Sequence, residues 1–283
     1  MGAEQLWARA LERSEQAAAS GALVPLKTER IDAPELAPFV LRRLISRTPK
    51  HLRSGGPKPN PFLPWQSELE VARPSASHVL LLNKYPVQRG HVLLITSGWK
   101  PQSGWLEPLD WQALCRVNAD TTGLWFFNSC GAAGASQPHR HLQLLPRRLG
   151  EPSCALEQQI ERWLDGNAQT AGPAAGRPAW MQALSRRQDP ADAAELEALY
   201  VSHCGQLGLG RPGSDPVPRA PYNLLLTDRW LLTVRRRKEH GHGFSINALG
   251  FAGYLLVTEA SDLSWLQAAG GWRLLEDVAA PLP

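Results

Sequence analysis

The sequence predicts an α+β fold, a mainly antiparallel sheet with helices packed around it, and three observations carry that reading. Short apolar runs of strand length come in pairs, stretches with helical spacing follow them, and glycine and proline gather between the two kinds of segment. The 283 residues are read as one domain, since a chain of this length can bury a single sizeable core.

Residues Glu4 to Ala19 set Leu6, Ala10, Leu11 and Ala18 among charges at roughly helical spacing, which predicts an amphipathic helix. In Lys50 to Pro64 the run Gly55-Gly56-Pro57-Lys58-Pro59-Asn60-Pro61 is forced into an extended loop by proline's fixed φ, and it carries Lys58. His78-Val79-Leu80-Leu81-Leu82-Asn83 and His91-Val92-Leu93-Leu94-Ile95-Thr96 read as paired strands about a turn from Lys84 to Gly90. Leu109, Leu114 and Val117 give Pro108 to Leu124 a helical period, and Trp125 to Asn128 and His139 to Leu145 read as two further strands. Residues 165–194 turn to Ala, Gly, Pro and Gln and read as a flexible surface insertion. A helix near Ala193 to Gln206 and strands at Tyr222 to Thr227 and Trp230 to Arg235 follow. From Ile246 through Thr258, and again from Trp272 to Val278, the spacing predicts helix.

Composition narrows the function classes. Cys115, Cys130, Cys154 and Cys204 form no Cys-x-x-Cys pair, which argues against a zinc ribbon or redox motif and for reduced thiols. No run approaches the roughly 20 apolar residues of a membrane span and the N-terminus lacks an apolar signal core, so a cytoplasmic protein with no membrane partner is expected. A formal charge of +4 does not suggest a nucleic-acid binder, and no aromatic set interleaves Arg235-Arg236-Arg237-Lys238-Glu239. A pI near 9.0 instead suits a small polyanion held at one mouth.

The chemistry concentrates in Ser136-Gln137-Pro138-His139-Arg140-His141-Leu142-Gln143. On a strand, His139, His141 and Gln143 share one face while Arg140 and Leu142 point the other way. Neutral imidazole is a competent phosphorus nucleophile when its second ring nitrogen holds its proton in a fixed hydrogen bond, and a strand supplies carbonyls for that. Upstream, Gly131-Ala132-Ala133-Gly134-Ala135-Ser136 lets backbone N–H groups come close to phosphate oxygens. The residues alone leave a second reading open, because a His-x-His pair also serves as two metal ligands, with His91 as the leading third.

The string from Gly134 to Gln143 resembles the His-x-His-x-Gln signature of the diadenosine tetraphosphate phosphorylases, or ATP adenylyltransferases, of the histidine-triad and galactose-1-phosphate uridylyltransferase superfamily. Asn60-Pro61-Phe62-Leu63-Pro64, Leu82-Asn83-Lys84-Tyr85-Pro86, Pro221-Tyr222-Asn223-Leu224-Leu225-Leu226-Thr227 and Ser245 to Val257 look like that family's blocks in its order. Arg140, where a lysine is common, and Val234, where a proline often precedes the arginine, depart from it.

The resemblance implies a histidine-triad-like fold and phosphorolysis of diadenosine tetraphosphate with phosphate to ADP and ATP, through AMP bound covalently to a histidine. It makes His141 the nucleophile, His139 a group that positions phosphate or the nucleophile's surroundings, and Gln143 a replacement for the third histidine of the hydrolases. Asn83 would meet a ribose hydroxyl, though it could also cap a turn, and His91 would lie beside the nucleotide. Lys58 and Lys84 would meet the polyphosphate. Asn128, Ser136 and Gln137 would donate to phosphate, with a strand-end cap an equal reading of Asn128. The sequence shows no carboxylate cage, so magnesium is expected only as a companion of the polyphosphate, with no protein metal site. A nucleotidyltransferase acting on a sugar 1-phosphate and a non-catalytic dinucleotide sensor are the alternatives.

Overall fold

An apolar run pairs as a strand when neighbours on both sides can satisfy its backbone, and the central runs of this chain do so in one sheet. The computed structural model describes residues 3–46, 60–148, 150–166 and 178–283. Helix α1 (Gln5–Ala19) is followed by β1 (Thr28–Ile31), β2 (Val40–Leu44), β3 (Glu70–Ser75), β4 (His78–Leu82) and β5 (Val92–Thr96). Helix α2 (Pro108–Asn118) leads into β6 (Gly123–Asn128) and β7 (His141–Pro146), then α3 (Glu157–Leu164), β8 (Gln182–Arg186) and α4 (Ala193–Gln206). The chain continues through β9 (Tyr222–Leu226), β10 (Trp230–Arg235), β11 (His240–Gly241), β12 (Phe244–Ser245), β13 (Tyr254–Val257), α5 (Leu263–Ala269) and α6 (Gly271–Val278).

The main sheet has eight strands in the order β3-β4-β5-β7-β6-β9-β10-β8, each antiparallel to its neighbours. It runs unbroken from the first half of the chain to the second, because β6 pairs with β9. The arrangement is the expected α+β fold with a mainly antiparallel sheet.

Residues opposite one another in antiparallel strands point to the same face, so the register sorts the core into two layers. On one face Leu80, Leu94, Leu142, Trp125 and Leu224 pack under Ala10 of α1, Trp111 of α2 and Tyr200 of α4. On the other, Phe126, Leu225 and Leu232 meet Ile160 of α3, Phe251, and Leu274 of α6. Further along that second face Leu81, Leu93 and Ile95 pack on Phe62 and Trp65. Burying each such Leu or Phe stabilises by about 1.5–3 kcal/mol before entropy is counted. His141 lies opposite Ile95, and Gln143 opposite Leu93 and Phe126, so both fall on the second face, in the strip between its two apolar patches.

Several expectations need correction. The helix expected from Ile246 through Thr258 is a short 3-10 turn, Ala248–Ala252, that Gly253 closes at φ 91° before β13 begins. Strand β13 pairs in parallel with β2, a distant partner that overrides the local helical spacing. Within the expected insertion at 165–194, Gln182–Arg186 is an edge strand of the main sheet with Ala183 buried, and 167–177 lie outside the described residues. The helix expected to Leu124 stops at Asn118, and Gly123 and Leu124 already belong to β6. Strand β7 begins at His141, with His139 held in an isolated bridge to Pro101. All four cysteines are unbridged. Among the described residues no helix is long and apolar enough to cross a membrane.

Candidate active site

His141 owes its tautomer to the strand it begins. Its Nδ1 lies 2.8 Å from the carbonyl oxygen of His139. A carbonyl only accepts, so Nδ1 carries the proton and Nε2 keeps a lone pair. Burial pushes the His141 pKa down to about 4, partly offset by this bond, and the ring is therefore neutral at neutral pH. Phe62 flanks it, with ring centroids 5.5 Å apart. The backbone is fixed as firmly: His141 N donates to Gln102 Oε1 at 2.8 Å, and Gln102 Nε2 donates to the carbonyl of Asn128 at 2.7 Å. The buried Gln102 amide thus spans the gap between the ends of β6 and β7.

Both ring nitrogens of His139 are taken by protein. Nε2 meets the Thr96 carbonyl at 2.8 Å, and Nδ1 accepts from Asn60 Nδ2 at 3.0 Å. The Asn60 amide cannot turn over, because its Oδ1 accepts from Phe62 N at 3.0 Å. Of the two roles considered for His139, this geometry leaves the side chain no free nitrogen for phosphate, while its carbonyl orients the next histidine. Arg140 points to the other face and pins the segment there, its Nη1 meeting Glu107 at 2.9 Å and Asp110 at 3.1 Å at the start of α2.

A second line of contacts orients Gln143. Asn83 Oδ1 accepts from Tyr85 N at 3.0 Å, so its Nδ2 donates to His91 Nδ1 at 3.1 Å. The proton of His91 is then on Nε2, which donates to Gln143 Oε1 at 3.1 Å. Burial pushes the His91 pKa down to about 4 as well. Asn83 therefore makes the turn cap, and His91 sits beside Gln143.

Asn128 is buried, and its Oδ1 accepts from Asn223 Nδ2 at 2.8 Å and from Ala248 N at 2.9 Å. In the loop before His139, Ala133, Gly134 and Ala135 spend their N–H groups on carbonyls of Cys130 and Gly131, so those three are not free for phosphate. Ser136 is exposed. Gln137 is half-buried, and its Oε1 is enclosed without a partner among the described residues. Gly134 holds φ 86°, and a Cβ there would fall 2.6 Å from that of Asn247.

The structure does not bring Lys84 to His141. Its Nζ donates to Gln66 Oε1 at 2.9 Å beyond the far end of β4. Lys58 lies outside the described residues. The His-x-His metal reading gains nothing, since the rings of His91 and His139 are engaged by amides and carbonyls, and among the described residues no three His, Cys, Asp or Glu side chains converge to hold an ion. The basic cluster divides: Arg236 is 1% exposed, while Arg237 and Lys238 stay exposed and pair with Asp277. Sequence reasoning missed Asn60, Thr96, Gln102, Asn223 and Arg236. Asn60 and Asn223 stood in two recognised blocks, the one signal that could have marked them.

Comparison with known proteins adds four findings. Residues 1–161 match the family model of the Ap4A phosphorylase N-terminal domain, and residues 177–281 that of the ATP adenylyltransferase C-terminal domain. Saccharomyces cerevisiae Protein APA1 is 28% identical over 199 residues, 64% of this chain and 61% of that protein. Diadenosine 5',5'''-P1,P4-tetraphosphate phosphorylase 2 of the same yeast is 28% identical over 230 residues, 72% of this chain and 70% of that protein. The crystal structures of yeast Ap4A phosphorylase Apa2 in complex with AMP and with Ap4A share this fold with TM-scores of 0.73 and 0.69, at 22% identity and 99% coverage of both chains.

Proposed function

This chain belongs to the Ap4A phosphorylase N-terminal domain family, and on that premise we propose that it is a nucleotidyltransferase splitting diadenosine 5',5'''-P1,P4-tetraphosphate with inorganic phosphate into ADP and ATP. The observation that carries the reading is the bond from His141 Nδ1 to the His139 carbonyl, which leaves Nε2 as an uncharged nucleophile inside the sheet.

Two displacements make up the reaction. The Nε2 lone pair attacks the α-phosphorus, the bond from that phosphorus to its bridging oxygen breaks, and the electron pair leaves with ATP. AMP is then joined to His141 through an N–P bond, and the His139 carbonyl steadies the positive charge on the ring. A phosphate oxygen attacks the same phosphorus, the N–P bond breaks, its electron pair returns to Nε2, and ADP departs. Charge on the phosphoryl oxygens is met by the free amide edges of Gln143 and Asn128. One such donor is typically worth about 100- to 1,000-fold in rate. An amide cannot titrate near neutral pH, so Gln143 gives water no base and leaves the second step to phosphate.

Ser136, Gln137 and Lys58 are assigned to the polyphosphate and His91 to the nucleoside side, while Lys84, held by Gln66, and Asn83, held as a turn cap, are left out of the site. Magnesium enters as part of the polyphosphate substrate. A cytoplasmic location, where phosphate and nucleotides are abundant, fits the four unbridged cysteines.

The test is intact-mass measurement after mixing protein with diadenosine tetraphosphate. Without phosphate, one AMP should appear on the protein and one ATP be released per site, and added phosphate should discharge the AMP as ADP. Steady release of free AMP without phosphate, at the rate of the phosphate-driven reaction, would make the protein a hydrolase.

A further inference from the structure

We infer that Arg236, acting through Asn223, fixes the side-chain amide of Asn128 so that its N–H edge faces the phosphoryl group at His141. The inference rests on the adenylyl transfer proposed above and names positioning residues for it. Arg236 Nε donates to Val278 O at 3.1 Å, and Nη2 to Lys238 O at 2.7 Å and Ile246 O at 2.9 Å. Nη1 donates to Asn223 Oδ1, and the guanidinium lies 5.2 Å over the ring of Phe251.

A guanidinium has donors and no acceptor, so Asn223 must turn its oxygen toward Arg236 and its nitrogen away. That nitrogen donates to Asn128 Oδ1 at 2.8 Å and to the Ala133 carbonyl at 2.8 Å. The next amide has no choice either. Asn128 Oδ1 faces two donors, Asn223 Nδ2 and Ala248 N, which puts Asn128 Nδ2 on the opposite edge, where it meets no protein acceptor among the described residues. Asn128 stands two residues beyond the Phe126–Gln143 pair, hence across from His141, with the Gln102 amide between their backbones.

Burying a charge is unfavourable, and an apolar side chain of similar volume commonly serves a core as well. What an apolar residue could not supply here is direction. Without a donor-only group at its root, Asn223 could turn its oxygen toward Asn128, leaving Ala248 N alone to keep the Asn128 N–H edge facing an anionic phosphate. Arg236 also ties together the carbonyls of Val278, Lys238 and Ile246, so its own removal would confound folding with function.

The discriminating variant is Asn223→Asp. It keeps the size and gives Arg236 an ionic partner, but replaces one of the two donors on Asn128 Oδ1 by a carboxylate oxygen, leaving Ala248 N as the other. A charge-assisted bond to the new carboxylate outweighs the single bond from Ala248 N, so the Asn128 amide turns over and presents its oxygen to the substrate. Asn223→Asp should adenylylate His141 about 100-fold more slowly, with kcat reduced, KM for phosphate within about twofold, and the unfolding midpoint held. In an Asn128→Ala background the same change should have no further effect. Wild-type rates in Asn223→Asp, or an equal loss in both backgrounds, would overturn the relay, the second by pointing to the Ala133 loop instead. If the unaltered protein forms no AMP adduct, the proposed reaction is what fails, and AMP affinity then reads the relay. Asn223→Asp should weaken AMP binding about tenfold, and unchanged affinity would overturn the inference.

Discussion

His91 donates from Nε2 to Gln143 Oε1 at 3.1 Å, across neighbouring strands, and so turns the nitrogen of the Gln143 amide away from His91, toward the place proposed for the phosphoryl group. Gln143→Glu keeps the bond from His91 but replaces the outward N–H by a carboxylate oxygen. Its kcat for ADP formation should fall by at least about 100-fold with stability little changed. A steady-state rate within about threefold of wild type would remove Gln143 from the phosphoryl site.

His141→Ala should abolish AMP attachment and lower turnover by orders of magnitude while AMP still binds, because the binding groups lie on other residues. Turnover above about a tenth of wild type would rule out a covalent role.

Stability should fall as the medium turns acidic, and buried histidines set the window, with His139 lowered in the same direction as the three that follow. Burial pushes His141, His91 and His203 from 6.5 to about 4 in the folded protein. The unfolded chain therefore binds these protons first, and the folded state loses ground as pH falls from 6.5 toward 4. At pH about 5.5 the three together should cost on the order of 4 kcal/mol relative to neutral pH. Denaturant unfolding at the two pH values measures the loss, and His203→Gln, which lies away from the site, should remove about a third of it. A loss undiminished in that variant would show that other groups drive the acid sensitivity.

Gly134→Ala should disturb the loop that carries Ser136 and Gln137. The residue is in the left-handed region and has no room for a Cβ beside Asn247, so strain of about 1–3 kcal/mol is expected. Denaturant unfolding should show that loss together with slower AMP attachment, and an unchanged unfolding curve would mean the loop relaxes freely.

The parts of the fold that could be read in the sequence are those whose residues decide their own environment. His78–Leu82, Val92–Thr96 and Tyr222–Leu226 are buried throughout and apolar throughout or nearly so, and they announced themselves. Val40–Leu44 and Glu70–Ser75 carry arginines and a proline, and pairing alone makes them strands. Strand β13 has the spacing of a helix, and what makes it a strand is its partner β2, more than two hundred residues earlier. The same division runs through the site. His139, His141 and Gln143 share one strand face by simple alternation. Gln102, Asn223 and Arg236 reach the site from separate segments by single hydrogen bonds, and no spacing records such a meeting. Arg236 was hidden twice, because in a run of four basic residues nothing distinguishes the one that goes inside.

The pairing of β6 with β9 also has a meaning for the order of synthesis. A chain leaving the ribosome displays His139, His141 and Gln143 well before Asn223 and Arg236 exist. Strands β5, β6 and β7 can zip together at that stage, but the outer edge of β6, where Asn128 stands, has no neighbour and the Asn128 amide no anchor. An unfinished chain therefore carries His141 without the fixed Asn128 amide proposed to face it, and an open edge prone to wrong pairing. The Asn128 amide gains its anchors late, when β9 closes that edge and Arg236 and Ala248 follow it.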